Sequence, residues 1–147
     1  MIETTGTTTV DIEADPQAVY DILTDLSRVG ELSPECYRAE WVDGTTGPVV
    51  GARFHGYNRN GGREWDAGCI VLTADPGREW AFEVPAGDGR NTVWRYQIEP
   101  TDGGCRVTES FDAPILDGEF FQKINRHDLL VGNITTTLQN LKTLAES

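Results

Sequence analysis

Apolar and polar positions along this chain alternate first with the period of a strand, then of a helix, then of strands again, and finally of one long helix. Thr4 to Glu13 is rich in β-branched residues, with Val10 and Ile12 on one parity and Asp11 and Glu13 on the other, which predicts a strand with one solvated face. Asp15 and Pro16 mark a helix start, since Asp accepts from the first free N–H groups and proline loses no useful donor there. Val19, Ile22, Leu23 and Leu26 then recur at helical spacing, predicting a short amphipathic helix from Pro16 to about Leu26. Gly30 and Pro34 bracket a second, weaker helical turn.

Between Tyr37 and Phe111 the alternation is that of strands joined by turns, which predicts an antiparallel sheet rather than parallel units with crossover helices. Tyr37, Ala39 and Trp41 share one face. Phe54, Gly56 and Asn58 share the next, with Arg53, His55 and Tyr57 opposite, before the Asn60-Gly61-Gly62 hairpin signal. The return strand from Arg63 to Asp75 turns Trp65, Ala67, Cys69 and Val71 inward and ends at Asp75-Pro76-Gly77. Trp80, Phe82 and Val84 follow, and after a glycine-rich loop Thr92, Trp94, Tyr96 and Ile98 form the next inner face. The last strand, Cys105 to Asp112, is closed by Pro114.

That last strand holds an anomaly. Val107, Glu109 and Phe111 share a parity, so an acid must follow two apolar residues onto the buried face. Beyond it the period changes: Phe120, Ile124, His127, Val131, Ile134, Leu138, Leu141 and Ala145 form a stripe predicting one helix from about Asp117 to Glu146. At about 1.5 Å per residue it would be roughly 45 Å long, enough to cross a whole sheet.

Composition narrows the function classes. The chain has 147 residues, which predicts a single domain over 1–147 with one core and no need of metal or disulfide support. A net charge of -12 speaks against nucleic acid, whose phosphates need a basic surface, and against anionic membranes. Three cysteines without CxxC spacing suggest free buried thiols, and neither a disulfide framework nor a metal site. No basic leader or apolar span stands out, so stable membrane insertion is not expected and the expected location is cytoplasmic.

The wording of three segments goes further. VDIEADPQAVYDILTDLSRV, GARFHGYNR and TVWRYQIEPTDGGCRVTESF resemble the polyketide cyclase/dehydrase and lipid-transport branch of the START, or SRPBCC, superfamily. The resemblance covers nearly the full length and implies an α+β helix-grip fold. In that fold a seven-stranded curved antiparallel sheet wraps around a long C-terminal helix, with two short helices after strand 1 and a cavity between sheet and helix. Members of the branch often carry a tryptophan before a proline after the first helix, where this chain has Leu32-Ser33-Pro34.

The inner face is aromatic: Trp41, Phe54, Trp65, Trp80, Phe82, Trp94, Tyr96 and Phe111. These rings are core beneath the helix, lining of a pocket, or both. Polar residues on the inner register discriminate better, because burying them unpartnered costs about 1 to 3 kcal/mol or more. They are few: Asn58, Thr92, Tyr96 and Glu109 on strands and His127 on the helix stripe, with Glu109 expected at the level of His127 or Val131. An apolar cavity with a few converging polar groups is the usual form of a small-molecule site. The expected ligand is a hydrophobic small molecule such as a lipid, polyketide or aromatic metabolite, with no cofactor. Two alternatives stand beside it. One is a polyketide cyclase or dehydratase using Glu109 as general acid or base; the other is a protein-binding module of the kind that activates chaperone ATPases. Monomer and homodimer are both compatible with this reading.

Overall fold

Residues 2–147 are described by the computed structural model. Threonines and valine draw Thr5–Ile12 into strand β1. Helix α1, Pro16–Thr24, starts where Asp15 accepts from the Gln17 and Ala18 N–H groups, with Pro16 at the first position. A 3₁₀ turn, Leu26–Arg28, and the single-turn helix α2, Val29–Leu32, carry the chain to β2, Cys36–Trp41. The strands β3 (Arg53–Asn60), β4 (Arg63–Asp75), β5 (Glu79–Val84), β6 (Thr92–Thr101) and β7 (Gly104–Asp112) follow. Then come a 3₁₀ turn, Pro114–Asp117, the short helix α3, Glu119–Lys123, and the long helix α4, Arg126–Glu146.

The seven strands form one antiparallel sheet in the order β1-β7-β6-β5-β4-β3-β2. Every join between sequential strands from β2 to β7 is therefore a neighbour in space, and β1 closes onto β7. Helix α4 packs chiefly on β1, and on α1 and α2, with a lighter contact to β7. Its side chains also cover the open edge of β1. The His127 ring meets the Thr5 carbonyl at 2.7 Å, Lys142 Nζ donates to the Asp11 carbonyl at 3.0 Å, and Glu146 accepts from the Glu13 N–H at 2.8 Å. An edge strand whose free carbonyls and N–H groups are occupied is a poor template for another chain. The arrangement is the α+β helix-grip one: curved sheet, long C-terminal helix, short helices after the first strand. Among the described residues, no helix is long and apolar enough to cross a membrane.

Two local readings of the pattern are corrected. The stripe from Phe120 to Ala145 is not one helix. Asn125 adopts a left-handed conformation (φ 50°, ψ 50°), which asparagine tolerates better than most residues, and the helix restarts behind it. The 21 residues of α4 span about 31 Å instead of 45 Å. The break also changes the phase of the stripe, so Arg126, Leu130, Ile134, Leu138 and Leu141 are buried while Phe120 and Ile124 are 52% and 43% exposed. In β2, a bulge between Cys36 and Arg38 inserts Tyr37 as an extra residue. Tyr37 is therefore 40% exposed and lies under the Arg59 guanidinium at 4.5 Å, while Cys36 takes the inner position opposite Asn58.

Candidate functional site

The inner aromatic residues separate into two groups. Phe54, Trp80 and Phe111 are buried core. Phe54 stacks on Trp80 with centroids 6.2 Å apart, Trp41 meets both edge-on at 5.6 and 6.5 Å, and Phe82 meets Phe54 at 5.1 Å. Trp65, Phe82, Trp94 and Tyr96 stay half-buried although they point to the inner face. The reason lies in where α4 sits: it covers the β1 and β7 side, and the inner faces of β4 to β6 lie further from it. A concave, half-open aromatic surface remains between them.

Glu109 lies at the edge of this surface. It pairs directly with Thr8 on β1 and with Tyr96 on β6, it is 2% exposed, and its Oε1 atom has no hydrogen-bond partner. Burial pushes its pKa up to about 8, with the Tyr96 hydroxyl pulling weakly the other way. The Tyr96 hydroxyl is itself pushed well above its ordinary range, first by burial and then by Glu109 beside it. Both groups thus hold their protons at neutral pH. Phe111, two residues on, faces Gly6, where a Cβ would lie 2.5 Å from the Phe111 ring and 3.2 Å from Val131 and would force the ring to shift. Glycine at this position lets the β7 ring and α4 close over β1.

The other polar residues expected on the inner face do not gather at Glu109. His127 is at the margin of β1, where Nε2–H must be the donor because the Thr5 carbonyl can only accept. That bond, with Asp128 at 3.2 Å from Nδ1, raises the His127 pKa. Asn58 is half-buried on β3, opposite Cys36 and Trp65, and β4, β5 and β6 separate its strand from β7. Thr92 is buried at the start of β6 opposite Val84. His55 points outward, with Nε2 2.5 Å from Asp66.

A buried ion pair, for which the inner-face pattern held no sign, stands at the other end of the groove. Arg126 makes a bidentate pair with Glu35 at 2.6 and 2.7 Å, both side chains about nine-tenths buried, and Asn60 Nδ2 adds a third bond to Glu35 at 2.7 Å. Glu35 is held below its ordinary pKa by these bonds, which outweigh its desolvation. The pair ties the loop before β2, the β3–β4 hairpin and the start of α4 into one junction. Arg126 also sits over the Trp65 ring at 5.3 Å, and Arg63 over the same ring at 4.9 Å. A cleft of about 580 Å³ opens here, lined by Pro34, Glu35, Arg59, Arg63 and Asn133 among others. A second, of about 650 Å³, lies beside the β1 edge with Thr5, Arg95, Phe111 and His127. Arg126 begins a four-residue spacing with Leu130, Ile134 and Leu138 once the helix starts behind Asn125. Glu35 carried no such signal. Among the described residues, no three His, Cys, Asp or Glu side chains are gathered as metal ligands would be.

The same architecture occurs in solved structures. A polyketide-cyclase-like protein from Corynebacterium glutamicum is 31% identical over 98% of this chain and 93% of its own, with a TM-score of 0.68. A protein of Thermus thermophilus is 20% identical over 95% of this chain and 94% of its own, with a TM-score of 0.74. The di-domain ARO/CYC StfQ of the steffimycin biosynthetic pathway is 14% identical, with a TM-score of 0.76; the match covers 97% of this chain and 50% of that one, and at this identity it speaks for the fold alone. No curated protein matches the chain significantly. The family model for "Polyketide cyclase / dehydrase and lipid transport" matches residues 3–146. With the helix-grip fold, that nearly complete match and a 31% identical relative, the chain belongs to the polyketide cyclase/dehydrase and lipid-transport family.

Proposed function

We propose that this protein binds a hydrophobic small molecule, such as a lipid, polyketide or aromatic metabolite, in the groove between the sheet and α4. The observation that carries this reading is the unpartnered Oε1 of Glu109 beside half-buried aromatic rings on a concave face. A buried polar atom left unpaired costs about 1 to 3 kcal/mol, and a ligand offering a hydrogen bond there recovers part of that cost. Trp65, Phe82, Trp94 and Tyr96 supply the apolar wall, and Phe54, Trp80 and Phe111 hold it rigid from behind. Asn58 and His127 then belong to the rim of the site, away from Glu109, while Val131 packs with the Phe111 cluster.

A second reading is favoured by the same carboxyl. A buried acid titrating at about 8, next to a tyrosine hydroxyl, is matched to proton transfer near neutral pH. In that reading the protein is a cyclase or dehydratase and Glu109 is its general acid or base. Glu109→Gln separates the two. For a carrier, affinity for an aromatic ligand stays within about tenfold of the parent. For an enzyme, turnover of a linear poly-β-ketone thioester falls by about 10² or more. Equilibrium binding and single-turnover kinetics on the same variant read both.

A further inference from the structure

Thr8, Glu109 and Tyr96 stand side by side across three adjacent strands, each the register partner of the next on the inner face. Cross-strand partners of this kind have Cβ atoms about 4.5 to 5.5 Å apart. The three therefore form a strip of oxygen-bearing side chains. Among the described residues, no cation answers the acid in the middle of it. Among the described residues, Arg126 is tied to Glu35, and His127 is tied to Thr5 and Asp128. Burial with only the Tyr96 hydroxyl beside it keeps Glu109 protonated at neutral pH, so the strip presents O–H donors and acceptors and no charge.

We propose that this strip selects ligands by head group, accepting an uncharged oxygen of a ketone, phenol or alcohol on an apolar body and rejecting a carboxylate. A ketone accepts the hydrogen bond of the Glu109 acid or the Tyr96 hydroxyl and gives the buried group its missing partner. A carboxylate would lose its water opposite another acid with no positive charge to compensate, which is the costly case of charge burial. This inference rests on the apolar-ligand reading above and adds the head group to it.

The test uses three naphthalene derivatives that share one ring body, with affinities measured by calorimetry at pH 6: 2-acetonaphthone, 2-naphthoate and 2-ethylnaphthalene. The ketone should bind at least about tenfold tighter than the carboxylate, and several-fold tighter than the ethyl compound. Glu109→Leu should bring ketone and ethyl compound together while leaving the ethyl compound's affinity within about threefold. Tyr96→Phe, the gentler change, should lose part of the ketone preference. Naphthoate binding as tightly as the ketone overturns the proposal, and so does a ketone preference that survives both substitutions. If none of the three binds, the apolar-ligand reading itself fails, an outcome plainly different from binding without head-group preference.

Discussion

At the scale of the single residue, Glu109 makes folding depend on pH in a direction opposite to that of most carboxyl groups. Its pKa is raised by burial from 4.5 to about 8, so between those values the native state keeps a proton that the unfolded chain has released. Stability from this group is complete below pH 4.5, falls as pH rises, by up to about 1.4 kcal/mol per pH unit, and is lost above pH 8. Glu109→Gln removes the titration. Thermal unfolding of parent and variant from pH 4.5 to 8 should show the variant gaining stability steadily over the parent; parallel curves would mean that the carboxyl is not held protonated. The presence of an acid on the inner face was legible in the sequence, because strand parity admits no other place for Glu109 between Val107 and Phe111. The placement of His127 was not. Its phase depended on where the helix began, and that was decided by the backbone of Asn125.

At the scale of the element, the junction built by Glu35, Arg126 and Asn60 ties the start of α4 to the loop before β2 and the β3–β4 hairpin, which are themselves joined by the Arg59 N–H donating to the Glu35 carbonyl at 3.0 Å. Removing one member of a buried ion pair leaves the other charged and desolvated, at a cost of about 3 to 5 kcal/mol. Arg126→Met should lower unfolding free energy by that order in urea titrations, and adding Glu35→Gln to it should restore most of the loss. If the double variant is as unstable as the single one, packing of Arg126 on Trp65, and not charge, is what the junction supplies. The antiparallel strands, the hairpin turns and the α1 cap were all legible, since each rests on local chemistry: alternation, positive-φ glycines, and Asp15 before Pro16; the pairing of β1 with β7 does not. The ion pair was not legible, because Glu35 and Arg126 are 91 positions apart and only the closed fold brings them together. The bulge at Tyr37 was hidden for a related reason, since an extra residue in an edge strand leaves the alternating pattern superficially intact.

At the scale of the whole molecule, the position of α4 toward β1 decides what the protein can do. A helix centred on the sheet would have filled the concave face, and the inner tryptophans would all be core. Offset as it is, α4 completes the core with Trp80, Phe54 and Leu138 on one side and leaves Trp65, Trp94 and Tyr96 half-open on the other. In the proposed function this half-open face is the binding site. NMR titration of the isotope-labelled protein tests it most directly, using 2-acetonaphthone and a monoacylglycerol as probes and following the indole N–H and aromatic signals. Saturable shifts are expected at Trp65, Trp94 and Tyr96 with at least one probe, while His55 and Tyr57 on the outer face stay still. Shifts confined to the outer face, or no saturable shift with either probe, would contradict it.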